Sequence, residues 1–244
     1  MSQLKTAGII IIGNEILSGK VQDSNSYYLA SELRSLGIDV RRILVIPDDI
    51  ETIGREVFRF SGKYNYVFTS GGVGPTHDDV TMAAVADGFG VSLVSNEEIR
   101  EILLSRYTRK PNSATLKMTE IPEGSEVIFN ENMRFPVIAF KNVFIFPGIP
   151  DYVKNKFSAI KERFRSSSFH LKRIFLDSHE TEITETLNRV VADNQDVMFG
   201  SYPFLGEEDY RIIITAESKS EEHLKCAVDK LLKLLPEEII VRVE

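Results

Sequence analysis

The chain has 244 residues, 43% of them hydrophobic, enough to bury one large core or a core of about 150 residues with a small companion. Its net charge of -7, with no basic run longer than Arg41-Arg42 or Arg109-Lys110, disfavours a nucleic-acid partner, whose phosphates call for a clustered basic face. A single cysteine, Cys226, leaves no internal disulfide; no Cys/His spacing resembles a zinc site and nothing approaches a membrane span, so the reading is an intracellular, cytoplasmic protein.

In chain order, residues 8–12 form a short continuous β-branched run, as expected of a strand covered on both faces. Asp23, Ser24 and Asn25 offer caps for a helix carrying Tyr27, Tyr28, Ala30, Leu33 and Leu36 at helical spacing, and Gly37 ends it. Residues 40–46 read as the second strand. Asp48 or Asp49 can cap the next helix, with Ile50, Ile53, Val57 and Phe58, and residues 64–69 are the third strand. Helices follow over about 79–89 and 96–107. Strands 136–140 and 143–146 are separated by Lys141-Asn142, a hairpin turn, and Pro147-Gly148-Ile149-Pro150 leads into a helix reaching Phe164. This rhythm predicts a doubly wound α/β domain with a mostly parallel sheet and right-handed crossovers.

Charge locates a boundary. Residues 1–165 hold 20 basic and 20 acidic side chains, whereas 166–244 hold 9 and 16, so the whole imbalance sits in the last third. The shift coincides with Arg165-Ser166-Ser167-Ser168, a polar stretch that reads as a linker between an α/β domain of 1–165 and a domain of 169–244. In the latter, strand 171–176, helix 182–191, strands 197–202 and 210–215, an amphipathic helix marked by Leu224, Val228, Leu231 and Leu235, and strand 238–243 follow one another. That β-α-β-β-α-β order is the ferredoxin-like split. With no phosphate loop or cluster of ligands, it reads as a packing or dimerising module.

The stretch TSGGVGPTHDDVT, residues 69–81, directly follows the third strand. Gly71, Gly72 and Gly74 let backbone approach a ligand closely, and a following helix offers unpaired N–H groups to an anion, as in a phosphate cradle. No lysine of the P-loop kind accompanies them, while Asp78 and Asp79 would repel a diphosphate unless a cation intervenes. A divalent ion held by one or two carboxylates plus phosphate oxygens resolves the conflict. The structural alternative makes Thr76 an N-cap, Asp79 its partner at N3 and Asp78 a charge favouring the helix dipole.

Two further strand ends carry acids. Gly13, Asn14 and Glu15 follow the first strand and Asp48 the second, where an ordinary turn and an ordinary cap compete with ligation. Pro147 and Gly148 either line the crevice or make a tight turn. His77 is either a phosphate contact or an exposed loop histidine. His170, His179 and His223 form no ligand spacing, and Arg134 and Lys20 are isolated basic residues.

The segments SGKVQDSNS, IPDD, GGVGPTHDDVT and FPGIP resemble the molybdopterin-binding domain shared by molybdopterin adenylyltransferases, competence/damage-inducible protein A and the N-terminal half of eukaryotic FAD synthase. Residues 133–153 and GSYP at 200–203 are most similar to the last of these. The resemblance implies metal and phosphoryl chemistry at Asp48 and Asp79, with Asp78 beside them. It also implies substrate contacts from Ser18, Gly19, Asp23 and Asn25, and from Thr69, Ser70, Gly71, Gly72, Gly74, Pro75 and Thr76. Gly13-Asn14-Glu15 stands where the adenylyltransferases have Ser-Asp-Arg, which counts against pterin adenylation. The implied activity is hydrolysis of a dinucleotide diphosphate, FAD to FMN and AMP or ADP-ribose, with Mg²⁺, Mn²⁺ or Co²⁺, in a dimer or trimer. The alternatives are a non-catalytic binding or regulatory domain of a flavin-synthesising partner and a molybdopterin adenylyltransferase.

Overall fold

The computed structural model describes residues 4–106, 112–129, 133, 135–206 and 208–244. Arg134 and the expected last residue of the helix at 96–107 lie outside them. The chain divides into two units, Met1–Ser166 and Ser167–Glu244.

In the first unit the isoleucine-rich strand β1 (Thr6–Ile12) lies between β2 (Asp39–Ile46) and β3 (Tyr66–Ser70), parallel to both, and β3 pairs in parallel with β8 (Val143–Phe146). Two antiparallel strands, β7 (Val137–Phe140) and β6 (Glu126–Ile128), complete a sheet of order β2-β1-β3-β8-β7-β6. Successive β1 side chains point to opposite faces, so a strand buried on both needs an unbroken apolar run. Ile9 and Ile11 pack with Phe68 and Phe146 against helices α2 (Asn25–Ser35) and α7 (Pro150–Ile160). Ile10 and Ile12 pack with Val67 and Ile145 against α3 (Ile50–Ser61) and α4 (Thr81–Phe89). This is the doubly wound, mostly parallel α/β fold read from the sequence.

Helices α3 and α4 meet backbone to backbone. A Cβ on Gly54 would stand 2.7 Å from the Ala84 carbonyl oxygen, and one on Gly88 would stand 2.4 Å from that of Gly54. The Lys141-Asn142 hairpin joins β7 to β8, with Lys141 at φ 53°. Asn142 anchors the turn by donating to the carbonyls of Ser61 (3.0 Å) and Tyr64 (2.9 Å).

Several short elements are additional to those expected: α1 (Asn14–Leu17), α6 (Ser113–Lys117), β6, and a two-stranded sheet of β4 (Leu93–Ser95) and β5 (Glu120–Pro122). Helix α5 spans Glu97–Arg106. Several boundaries move: the helix expected to reach Phe164 ends at Ile160, with Lys161–Phe164 as a 3-10 turn, and the strands expected at 210–215 and 238–243 lie at Ile212–Ser218 and Ile240–Val243. Strand β3 starts at Tyr66 because the Tyr64 N–H is bonded to the Phe60 carbonyl at 2.9 Å, in the turn that ends α3, and the Tyr64 carbonyl accepts from Asn142. Helix α4 starts at Thr81, not 79, with no side-chain cap.

The second unit follows β9 (His170–Leu176), α8 (Glu180–Asp193), β10 (Met198–Pro203), β11 (Ile212–Ser218), α9 (Glu221–Leu234) and β12 (Ile240–Val243). Its antiparallel sheet has the order β10-β11-β9-β12, the ferredoxin-like arrangement. Alternate residues of β11, Ile212, Ile214 and Ala216, pack with Ile183 and Val190 of α8 and Leu224, Val228 and Leu231 of α9. No helix among the described residues is long and apolar enough to cross a membrane.

Candidate functional site

The carboxyl ends of β1, β2, β3 and β8 point the same way, so the loops that follow them share one edge of the sheet. There a cavity of about 620 Å³ is lined by Glu15, Asp48, Gly71, Gly72, Gly74, Pro75, Asp78, Asp79, Pro147 and Gly148. Four loops thus contribute, and these ten lining residues are among those expected from the sequence.

The adjacent aspartates after β2 divide between two tasks. Asp49 is the cap of α3, accepting the Thr52 N–H at 2.8 Å, and hydrogen bonds from Thr52 hold its carboxyl below the usual carboxylate range. Asp48 is left for the cavity, where its Oδ2 accepts the Asn14 N–H at 2.8 Å and so ties the loop after β1 to the loop after β2.

The glycine loop is built by close approach. Gly71 (φ 116°) has no room for a side chain, since a Cβ would fall 1.9 Å from the Ile12 carbonyl oxygen. Gly72 (φ 61°) is pressed similarly against Thr81, whose hydroxyl donates to the Gly71 carbonyl at 2.9 Å. The Gly71 N–H is consumed by the Phe146 carbonyl at 3.1 Å and the Thr76 N–H by Asp79 at 2.8 Å. Among the described residues, no hydrogen bond takes up the N–H groups of Gly72, Val73 or Gly74. Three successive donors at the cavity wall are suited to an anion.

Thr76 does not cap α4. Instead residues 76–79 close a turn of their own, in which the Thr76 hydroxyl lies 2.6 Å from Asp78 Oδ1 and also within hydrogen-bond distance of Asp79 Oδ2. One hydroxyl proton serves one oxygen at a time, so two negative groups meet around it. The Thr76 hydroxyl and the Asp78 backbone N–H, helped by the charges of His77 and Lys117, hold the Asp78 carboxyl below its ordinary range. Lys117 of α6 donates to the Asp79 carbonyl at 3.1 Å and braces the turn from behind. The His77 ring is almost wholly exposed.

The remaining expected residues lie outside the cavity lining: Gly13, Asn14, Ser18, Gly19, Asp23, Asn25, Thr69, Ser70 and Thr76. Several of them hold the surrounding backbone. Asp23, one residue before the N-cap Ser24, accepts the N–H groups of Asn25 (2.9 Å) and Ser26 (3.0 Å) at the start of α2. Asn25, buried, donates to Ser70 Oγ at 3.0 Å and to the Gly148 carbonyl at 2.7 Å, while Ser70 donates to the Pro147 carbonyl at 3.0 Å. Together they clamp α2, β3 and the loop after β8. Thr69 is fully buried, and Ser18 bonds only its own turn, through the Glu15 carbonyl.

Sequence reasoning missed the opposite character of the lining. Ile12, Val73, Met118, Phe135, Ile149 and Tyr152 give the cavity apolar surface. Lys156 of α7 also lines it, only 7% exposed, with burial pulling its ammonium down to about 8.

No three carboxylate, histidine or cysteine side chains among the described residues form a ready-made metal cluster. The donor set of Asp78, Asp79 and Asp48 fits a hard cation that takes one or two carboxylates and draws its other ligands from phosphate and water.

A mostly parallel, doubly wound α/β unit with an acid-rimmed cavity at its strand ends and a ferredoxin-like unit define a two-unit protein of the α/β class. By comparison with known proteins, residues 8–166 match the family described as a probable molybdopterin binding domain, and the chain belongs to that family; residues 168–244 match the FAD synthase middle domain. A probable FAD synthase of Caenorhabditis elegans is 34% identical over 268 residues, 98% of this chain and 52% of the relative, so the chain spans about half the length of that protein. A protein of Archaeoglobus fulgidus is 37% identical over 227 residues, 93% of this chain and 96% of its own. Among solved structures, CinA from Thermoplasma acidophilum superimposes with a TM-score of 0.61 at 30% identity, over 66% of this chain and 100% of that one.

Proposed function

We propose that the chain is a divalent-metal-dependent pyrophosphatase that cleaves a dinucleotide diphosphate, FAD to FMN and AMP, with ADP-ribose as a further substrate. One observation carries the reading: Asp48, Asp78 and Asp79, from two separate loops, line the same cavity as the N–H donors of the glycine loop. The relatives named FAD synthase support a flavin nucleotide as the ligand. In the reaction a water oxygen bonds to one phosphorus, the bridging P–O bond breaks, and the water's two hydrogens are shared between the two monophosphate products and solvent. The Gly72, Val73 and Gly74 N–H groups hold the non-bridging oxygens on which charge grows. Asp78 and Asp79 would hold Mg²⁺, Mn²⁺ or Co²⁺, with Asp48 completing its shell or orienting the water, and the ion supplies the charge that screens acids from phosphate. Apolar surface from Phe135, Tyr152 and Ile149 suits a flat ring system.

Incubation with FAD and each of the three metals, followed by chromatography of AMP, tests the reading. Wild type releases AMP in a manner abolished by EDTA, and Asp79→Ala lowers the rate by about 100-fold or more. Absence of AMP release with every metal, alongside retained nucleotide binding, would leave a non-catalytic binding domain. ATP-dependent adenylation of a pterin would indicate an adenylyltransferase instead.

A further inference from the structure

Lys156 reaches the cavity from α7, one turn after Tyr152, which lines the same wall. Its Nζ donates to the Pro136 carbonyl at 2.6 Å and stands 5.3 Å from the centre of the Phe135 ring. Among the described residues, no carboxylate lies within ion-pair distance of it. An ammonium has three N–H bonds and a full charge, and buried charges are ordinarily paired. A side chain needed only for packing here would serve better as methionine, which is unbranched, of similar volume and uncharged. The cavity it enters also holds three aspartates and a glycine loop with no lysine of its own.

We infer that Lys156 is a phosphate-binding residue, whose ammonium pairs with a non-bridging phosphoryl oxygen of the ligand and supplies the fixed positive charge that the glycine loop lacks. The inference rests on the proposed cavity accepting a nucleotide phosphate, but not on its cleavage. It makes Lys156 the group that distinguishes a nucleotide from its nucleoside. The Pro136 carbonyl keeps the ammonium aimed while it is shared with the ligand.

Isothermal titration of the full chain with AMP and with adenosine, in Mg²⁺ at pH 7, measures that distinction as a ratio of affinities. Wild type favours AMP. Lys156→Met and Lys156→Gln lower the ratio about tenfold by weakening AMP and not adenosine, since a charge-assisted contact is lost. Lys156→Arg, which keeps the charge, retains a ratio above that of both neutral variants. A ratio in both neutral variants within twofold of wild type, an equal loss for both ligands, or a wild type without preference for AMP overturns the inference. A wild type that shows the lysine-dependent preference yet releases no AMP from FAD sinks the hydrolase reading alone.

Discussion

Asp48 and Asp49 differ by one position and are indistinguishable by residue type. The Thr52 N–H selects Asp49 as the cap, and geometry turns Asp48 to the Asn14 N–H and the cavity. Asp49→Ala should lower the melting temperature by about 2–4 °C and leave AMP release within twofold of wild type. Asp48→Ala should do the reverse, holding the melting temperature within a degree or so while AMP release falls about 100-fold. Thermal melts beside the FAD assay separate them, and identical behaviour of the two variants would refute the division of labour. Lys156 was hidden for a related reason. In the run Lys154-Asn155-Lys156 it reads as part of a solvated helix face, and only the packing of α7 against the Pro136 carbonyl reveals a buried ammonium.

Elements long enough to show a period were legible. The apolar run of β1 and the helical spacing of α2 and α3 state their burial directly. Strands β4, β5 and β6, three residues each, are too short to carry a period and exist because pairing with a partner strand holds them, while α6 is a five-residue helix capped locally by Asn112. The start of α4 was misplaced because Asp79 spends its carboxylate on the preceding turn, a local bond that competes with capping. Asn25 shows how elements are fixed around the cavity, since its amide reaches both Ser70 and Gly148 from the first turn of α2. Asn25→Ala should cost about 2 kcal/mol in urea denaturation, because the buried Gly148 carbonyl contact loses its donor, and should raise the KM for FAD as two cavity loops loosen. An unchanged denaturation midpoint would show that the clamp is dispensable.

For the whole molecule, the alternation of strand and helix announced the α/β class and the β-α-β-β-α-β order announced the ferredoxin-like unit. The lateral order β2-β1-β3-β8-β7-β6 was not legible, because register between distant strands depends on packing that no local pattern encodes. Every residue lining the cavity lies between Ile12 and Lys156, within the first unit. Leu231→Ala, deep in the other core, should therefore destabilise the second unit by about 2–4 kcal/mol and leave the turnover of FAD by folded protein unchanged. Calorimetry with the AMP assay reads both, and lost turnover in a still-folded first unit would tie catalysis to the second. The contact of Gly54 with Gly88 bears on the geometry of the cavity. One helix begins just after Asp48 and the other just after Asp79, and at the Gly54–Gly88 crossing they are seated main chain on main chain. Missing side chains at that remote crossing act as a gauge block, setting how far apart the two carboxylate-bearing turns are mounted.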